Sequence, residues 1–162
     1  MRVLGIDPGI AITGYGLIED RAGDLEALAY GDIRTPAGDP LPLRLRQLYD
    51  AIHSLIQSYR PDVAAIERVF FGRNVSTALA VGHARGVTLL ALAQAEIPVY
   101  EYTPADVKQA LVGYGSAPKA QIQAMVRMLL RLPEIPRPDD VADALAVAIC
   151  HLNHVRLSAM FE

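Results

Sequence analysis

Tryptophan is absent from this chain, cysteine occurs once, lysine only twice, and just 6% of the residues are aromatic. The scarcity of cysteine closes off one class of protein. The single cysteine, Cys150, cannot form an internal disulfide, and in its apolar helical setting it reads as a buried, inert thiol. No stretch reads as a membrane-spanning run or a signal peptide, so a soluble cytoplasmic protein with no membrane partner is expected. With a formal net charge of −3 the surface is not coated in positive potential, which leaves a local basic face as the electrostatic route to nucleic acid. At 162 residues the chain is expected to form a single domain spanning 1–162, able to bury roughly two-thirds of its unfolded surface.

What the chain does have is acids in unusual places. Asp7 ends the apolar run Val3-Leu4-Gly5-Ile6, Glu67 ends Val63-Ala64-Ala65-Ile66, and Asp140 and Asp143 lie near the C-terminus. Burying an unpaired carboxylate costs on the order of several kcal/mol, and a metal cation is the simplest partner. Asp140 and Asp143 are three apart, so on a helix they share a face, with roughly 5–6 Å between their Cβ atoms. Asp139 complicates the reading: it can cap the helix after Pro138, yet Asp139 and Asp143 also share a face. Spacing leaves both pairs open. The plain alternative for Asp7 and Glu67 is a surface acid at a strand end, and the set of four weighs against it.

The order of elements is α/β. Residues 2–7, 11–19 and 25–34 read as strands, and connections this short favour an antiparallel meander. In Thr13-Gly14-Tyr15-Gly16 the glycines alternate as they do where another backbone packs closely. Residues 41–59 carry Leu45, Leu48, Tyr49, Ile52, Leu55, Ile56 and Tyr59 at helical spacing, stopped by Pro61. A strand at 62–67, a polar and aromatic loop at 68–75 and an alanine-rich helix at 76–96 follow. The composition of that helix suggests close packing against a sheet or a second subunit. Val99–Tyr102 is a last strand, and Thr103-Pro104-Ala105-Asp106 is a helix start, with Thr as cap, Pro at the first position and an acid in the first turn. Helices at 118–131 and 139–154 flank a proline-containing linker. Parallel strands require crossovers, which 35–61 and 69–97 supply, so the expectation is a mixed sheet covered by helices. If the first and fourth strands are parallel neighbours, Asp7 and Glu67 end at the same sheet edge.

Several pieces then align with one pattern. Gly5-Ile6-Asp7-Pro8-Gly9, Thr13-Gly14-Tyr15-Gly16, Ile66-Glu67-Arg68-Val69-Phe70, Ala84-Arg85-Gly86, Val107-Lys108-Gln109, Gly113-Tyr114-Gly115-Ser116-Ala117-Pro118-Lys119 and Asp140-Val141-Ala142-Asp143-Ala144-Leu145-Ala146 resemble, in order and spacing, the bacterial RuvC Holliday junction resolvases. The resemblance covers nearly the whole chain. It implies a ribonuclease H-like mixed five-stranded sheet flanked by helices, a homodimer, cooperation with a RuvA–RuvB branch-migration complex, and Mg²⁺-dependent cutting of two opposed strands of a four-way DNA junction. It assigns the metal ligands to Asp7, Glu67, Asp140 and Asp143 and leaves Asp139 as their neighbour. Two Mg²⁺ ions per site are expected, with Mn²⁺ as a substitute. It also points to Lys119 as a catalytic cation and to Phe70, Arg73, Asn74, Arg85, Lys108 and Lys119 as DNA contacts.

The chemistry suits these residue types. Phosphodiester hydrolysis builds negative charge on the scissile phosphate, and hard carboxylate oxygens hold the cations that offset it. Asp7, the deepest acid, is the natural bridge between two metals. An aromatic in this loop can stack on an unpaired base, a contact worth about 1–3 kcal/mol; on residue type alone a lone Phe reads as packed inward, and it is the resemblance that favours Phe70 for stacking and leaves Phe71 to packing or a dimer contact. On residue type alone, Lys108 and Lys119 are nearly as well read as solvated helix residues. Cys150, His151 and His154 are spaced for a helix face but lack a fourth zinc ligand, and they read as structural. His53 and His83 read as helix residues without chemistry. Two rivals remain: an actin-like ATPase, which needs a second domain that a chain this short lacks, and a scaffold that binds branched DNA without cutting it.

Overall fold

In the computed structural model, which describes residues 1–68 and 74–162, the first three strands form the expected meander. They are β1 (Arg2–Asp7), β2 (Ile12–Arg21) and β3 (Asp24–Arg34), paired antiparallel in sequence order. The second and third run longer than 11–19 and 25–34. A two-residue turn, with Ala22 and Gly23 both at positive φ, lets pairing continue to Arg21 opposite Asp24. Helix α1 (Leu41–Tyr59) leads to β4 (Val63–Glu67), which lies parallel to β1. Helix α2 (Val75–Gln94) leads to β5 (Val99–Tyr102), parallel to β4. The spatial order is β3-β2-β1-β4-β5. Helices α3 (Pro104–Val112), α4 (Lys119–Leu129) and α5 (Asp139–Ala159) close the chain. This is the ribonuclease H-like mixed sheet flanked by helices.

The two-residue period of the strands divides the core. Val3, Ile18, Val63 and Ala65 face α3, α4 and α5, packing with Val107, Ile122, Val126, Leu145 and Ile149. Leu4, Ile6, Leu17, Ala64 and Ile66 face the other way, onto Leu48, Ile52 and Ile56 of α1 and Ala84, Ala91 and Leu92 of α2. The same alternation carries Gly5, Asp7 and Glu67 onto the α5 side. α3 begins with the capping box read from the sequence: Thr103 accepts from the Asp106 amide, and Asp106 accepts from the Thr103 amide.

Three expectations are corrected. α2 is 20 residues long and contains an 18-residue window with a mean hydropathy of 1.4, so by length and composition it is apolar enough to cross a membrane, whereas the sequence reading found no such run. Apolar residues on both sides of the helix explain it: Ala84, Ala91 and Leu92 pack inward with Thr88, while Val75, Leu79 and Leu90 stay exposed. Second, α5 continues past 154 to Ala159, because nothing in that stretch breaks a helix and Arg156 ties its last turn to Asp20 of β2 at 2.9 Å. Third, Asp139 does not cap α5. The cap position is Pro138, with no side-chain cap bond, and Asp139 turns to Lys119 and Gln123 instead.

Candidate active site

Glycines on two strands bring the acids of α5 to the acids of the sheet. A methyl group on Gly14 would overlap the Asp140 carbonyl, and one on Gly5 would overlap the Ala144 carbonyl. Only residues without a Cβ let the helix backbone rest directly on β1 and β2. Gly14 is also the register partner of Asp7. The contact that seats the first turn of α5 therefore seats it beside Asp7. Glu67, at the end of the neighbouring parallel strand, lines a cavity of about 220 Å³ together with Lys108, Lys119 and Asp143. Asp140 lines a second cavity, of about 560 Å³, with the Gly9–Ile12 turn, Arg44 and the first turn of α2.

Electrostatics shows the acids acting on one another. Burial pushes the Asp7 carboxyl up to about 8, and the charges of Asp143, Asp140 and Glu67 push the same way against the pull of Lys119. Burial also raises Glu67, with Asp143 adding to it while Lys108 and Lys119 oppose. Asp143 is raised by burial and by Asp140 despite the nearby Lys119. Asp139 behaves in the opposite way: its hydrogen bond to Lys119 lowers it, and its side chain is 58% exposed against 32% for Asp143. Among the described residues, no three of the acids already form a closed cation cage. Their chemistry nonetheless fits a divalent cation: they are hard oxygen donors, held together with too little positive charge beside them.

The other residues singled out in the sequence divide into groups. Lys119, in the first turn of α4, lies 3.1 Å from Asp139 and 3.6 Å from Asp143. Burial works against its charge, and the two aspartates more than offset that, raising its pKa. Lys108, half-buried on α3, faces the same cavity. Asn74 caps α2, accepting from the Thr77 amide at 3.2 Å. Arg85 is turned inward, with its side chain 14% exposed and its guanidinium spent on the Glu67 carbonyl and Glu101. The structure thus does not bring Arg85 to the surface with the two lysines. Phe70 and Arg73, with Phe71, lie outside the described residues. Cys150 is buried, its thiol pushed up to about 12 by burial. His151 Nδ1 and the Tyr102 hydroxyl are 2.7 Å apart, and His154 Nδ1 lies 2.9 Å from the Cys150 carbonyl.

Two residues of consequence were not singled out. Thr13 is fully buried, and its Oγ1 donates to the Gly9 carbonyl at 2.6 Å and accepts from the Gly9 amide at 3.0 Å, closing the turn that follows Asp7. Its place between Gly9 and Gly14 was the available signal. Glu101 pairs with both Arg85 and Arg68; its position in a four-residue strand carried no such sign.

A family model described as "Crossover junction endodeoxyribonuclease RuvC" matches residues 3–151. A protein of that description from Brevibacillus brevis is 57% identical over 151 residues, covering 93% of this chain and 91% of the relative. Among solved structures, T. thermophilus RuvC in complex with Holliday junction substrate superposes with a TM-score of 0.93 at 38% identity, covering 98% of this chain and 96% of that one. The yeast mitochondrial Holliday junction resolvase Ydc2 superposes at 0.72 with 15% identity, covering 98% and 80%, a likeness of fold alone.

Proposed function

The chain belongs to the RuvC family of crossover junction endodeoxyribonucleases, and on that premise we propose that it resolves four-way DNA junctions by metal-dependent hydrolysis of two opposed phosphodiester bonds in recombination and repair. The observation that carries the reading is the seating of α5 on Gly5 and Gly14, which brings Asp140 and Asp143 to the strand-end acids Asp7 and Glu67.

Asp7, Glu67, Asp140 and Asp143 would hold Mg²⁺, two ions per site, with Mn²⁺ as a substitute. Cations held there would supply activation of water and offset the charge that builds on the scissile phosphate. The protein's own part is to hold the four carboxylates together against their repulsion and to exclude Asp139, whose charge Lys119 and Gln123 absorb. Lys119 and Lys108 supply positive charge at the rim of the Glu67–Asp143 cavity, where a DNA phosphate would enter. Phe70, Arg73 and Asn74, which in sequence lie between Glu67 and α2, are the further proposed DNA contacts.

A junction with two-fold symmetry calls for a two-fold protein. The outward face of α2 supports this: Leu79 and Leu90 are exposed, and among the described residues nothing lies within 4 Å of a methyl group added at Gly82 or Gly86 between them. One domain spanning 1–162, a cytoplasmic location and cooperation with a RuvA–RuvB complex complete the reading. The test is incubation of the purified chain with a synthetic four-way junction and with linear duplex of the same sequence, in Mg²⁺, Mn²⁺ or EDTA. Paired cuts in opposed strands of the junction, only with metal, are the expected result. Tight binding without cutting in any metal would favour the idle scaffold. Light scattering reads the dimer.

A further inference from the structure

We infer that Arg85 is a positioning residue for Glu67, fastening the end of β4 to α2 and β5 so that the strand-end acid holds its place. The inference rests on the nuclease reading of the acid site. Glu67 needs such support because it lies beyond the last residue pair between β1 and β4, Ile6 with Ile66, and is paired on the β5 side alone, with Tyr102. Two bonds compensate. The Arg68 amide donates to the Tyr102 carbonyl at 2.6 Å, and Arg85 Nη1 donates to the Glu67 carbonyl at 3.0 Å.

The second nitrogen of the same guanidinium, Nη2, pairs with Glu101 Oε1, and the other carboxylate oxygen of Glu101 lies 3.7 Å from Arg68 Nε. One planar fork therefore bridges the backbone of the residue that carries the acid and a side chain of the adjacent strand. A lysine, with a single point charge, cannot span both at once. Burial agrees with this role: the Arg85 side chain is 14% exposed, whereas that of Arg68 is 57% exposed. Arg85 also sits midway along α2, one residue after the fully buried Ala84. The helix whose outer face is the proposed dimer surface thus has its inner face bonded to the backbone of a proposed metal ligand.

The test compares Arg85→Ala, Arg85→Lys and Glu101→Gln with the parent chain. Three readouts are taken: junction binding in EDTA as a function of salt, calorimetric affinity for Mn²⁺ without DNA, and the metal concentration giving half-maximal cleavage. Arg85→Ala is expected to bind junction with an unchanged salt slope, to weaken Mn²⁺ affinity about tenfold and to raise the half-maximal metal concentration in parallel. Arg85→Lys, which keeps the charge but loses the fork, should recover only part of this, and Glu101→Gln should move in the same direction. A salt slope lowered by about one phosphate contact with unchanged metal affinity would make Arg85 a DNA contact and overturn the inference. If Arg85→Ala does not fold, parental Mn²⁺ affinity in both Arg85→Lys and Glu101→Gln overturns it equally. The calorimetric arm needs no cleavage, so a parent chain that cuts no junction refutes the nuclease reading while the Mn²⁺ affinities still decide the role of Arg85.

Discussion

Replacing Asp7 with asparagine is expected to stabilise the metal-free protein, and to do so more at neutral pH than in acid. Asp7 titrates at about 8 in the folded chain against an ordinary 3.8. Its folded-state pKa is raised, so the stability it contributes is fully present below 3.8 and is lost as pH rises through about 8. At pH 7 the folded state must take up a proton that the unfolded chain has released. About three pH units, at about 1.36 kcal/mol each, put that cost at roughly 4 kcal/mol. Relaxation of the acid cluster takes part of this, which leaves about 2–4 kcal/mol, and at about 2–4 °C per kcal/mol for a domain of this size the melting temperature should rise by about 5–15 °C. At pH 4 the same arithmetic leaves under about 1 kcal/mol. The assay is thermal unfolding followed by circular dichroism in EDTA at pH 4 and pH 7, repeated with Mn²⁺. The metal should raise the melting temperature of the parent more than that of Asp7→Asn, since a ligand that binds only the folded state stabilises by an amount that grows with the logarithm of its affinity. An equal difference at both pH values, or an asparagine variant that is less stable at pH 7, would refute the electrostatic account of this site.

Asp140→Asn, Asp143→Asn and Glu67→Gln should each slow single-turnover junction cleavage by about 100-fold or more while leaving binding in EDTA intact, whereas Asp139→Asn should keep most of the activity because Asp139 is engaged with Lys119 and Gln123. Gly14→Ala should destabilise the chain in urea titrations by about 1–3 kcal/mol or more, since the added methyl displaces the Asp140 carbonyl, and cleavage should fall even where the variant is fully folded. Lys119→Ala should lower the salt slope of junction binding by about 0.9, the value of one phosphate contact; an unchanged slope with slowed cleavage would instead place Lys119 at the reacting group.

The strand-end positions of Asp7 and Glu67 were legible because an apolar run that stops on an acid is a local pattern, and burial gives it a cost. The spacing of Asp140 and Asp143 was legible as a shared helix face. Whether Asp139 or Asp140 turns toward Asp7 was not, since both pairs obey helical spacing and only the direction from which α5 meets the sheet separates them. Arg85 shows the converse. As a basic residue in a family-like motif it read as a DNA contact, but its inward rotamer depends on Glu101, sixteen residues away on β5, and on a strand end that lacks a partner on one side.

The sequence by itself determined the period of each element, the caps and turns that bound it, and the places where an acid or a glycine interrupts an apolar pattern, because these follow from neighbours along the chain. The tertiary structure alone decided which acids meet and which basic groups are already paired. Gly5 and Gly14 admit the α5 backbone onto β1 and β2, and that single close approach draws carboxylates from three separated stretches of chain within range of one another. Mutual repulsion across such distances depends on where side chains stand in space, and spacing along the sequence does not encode it.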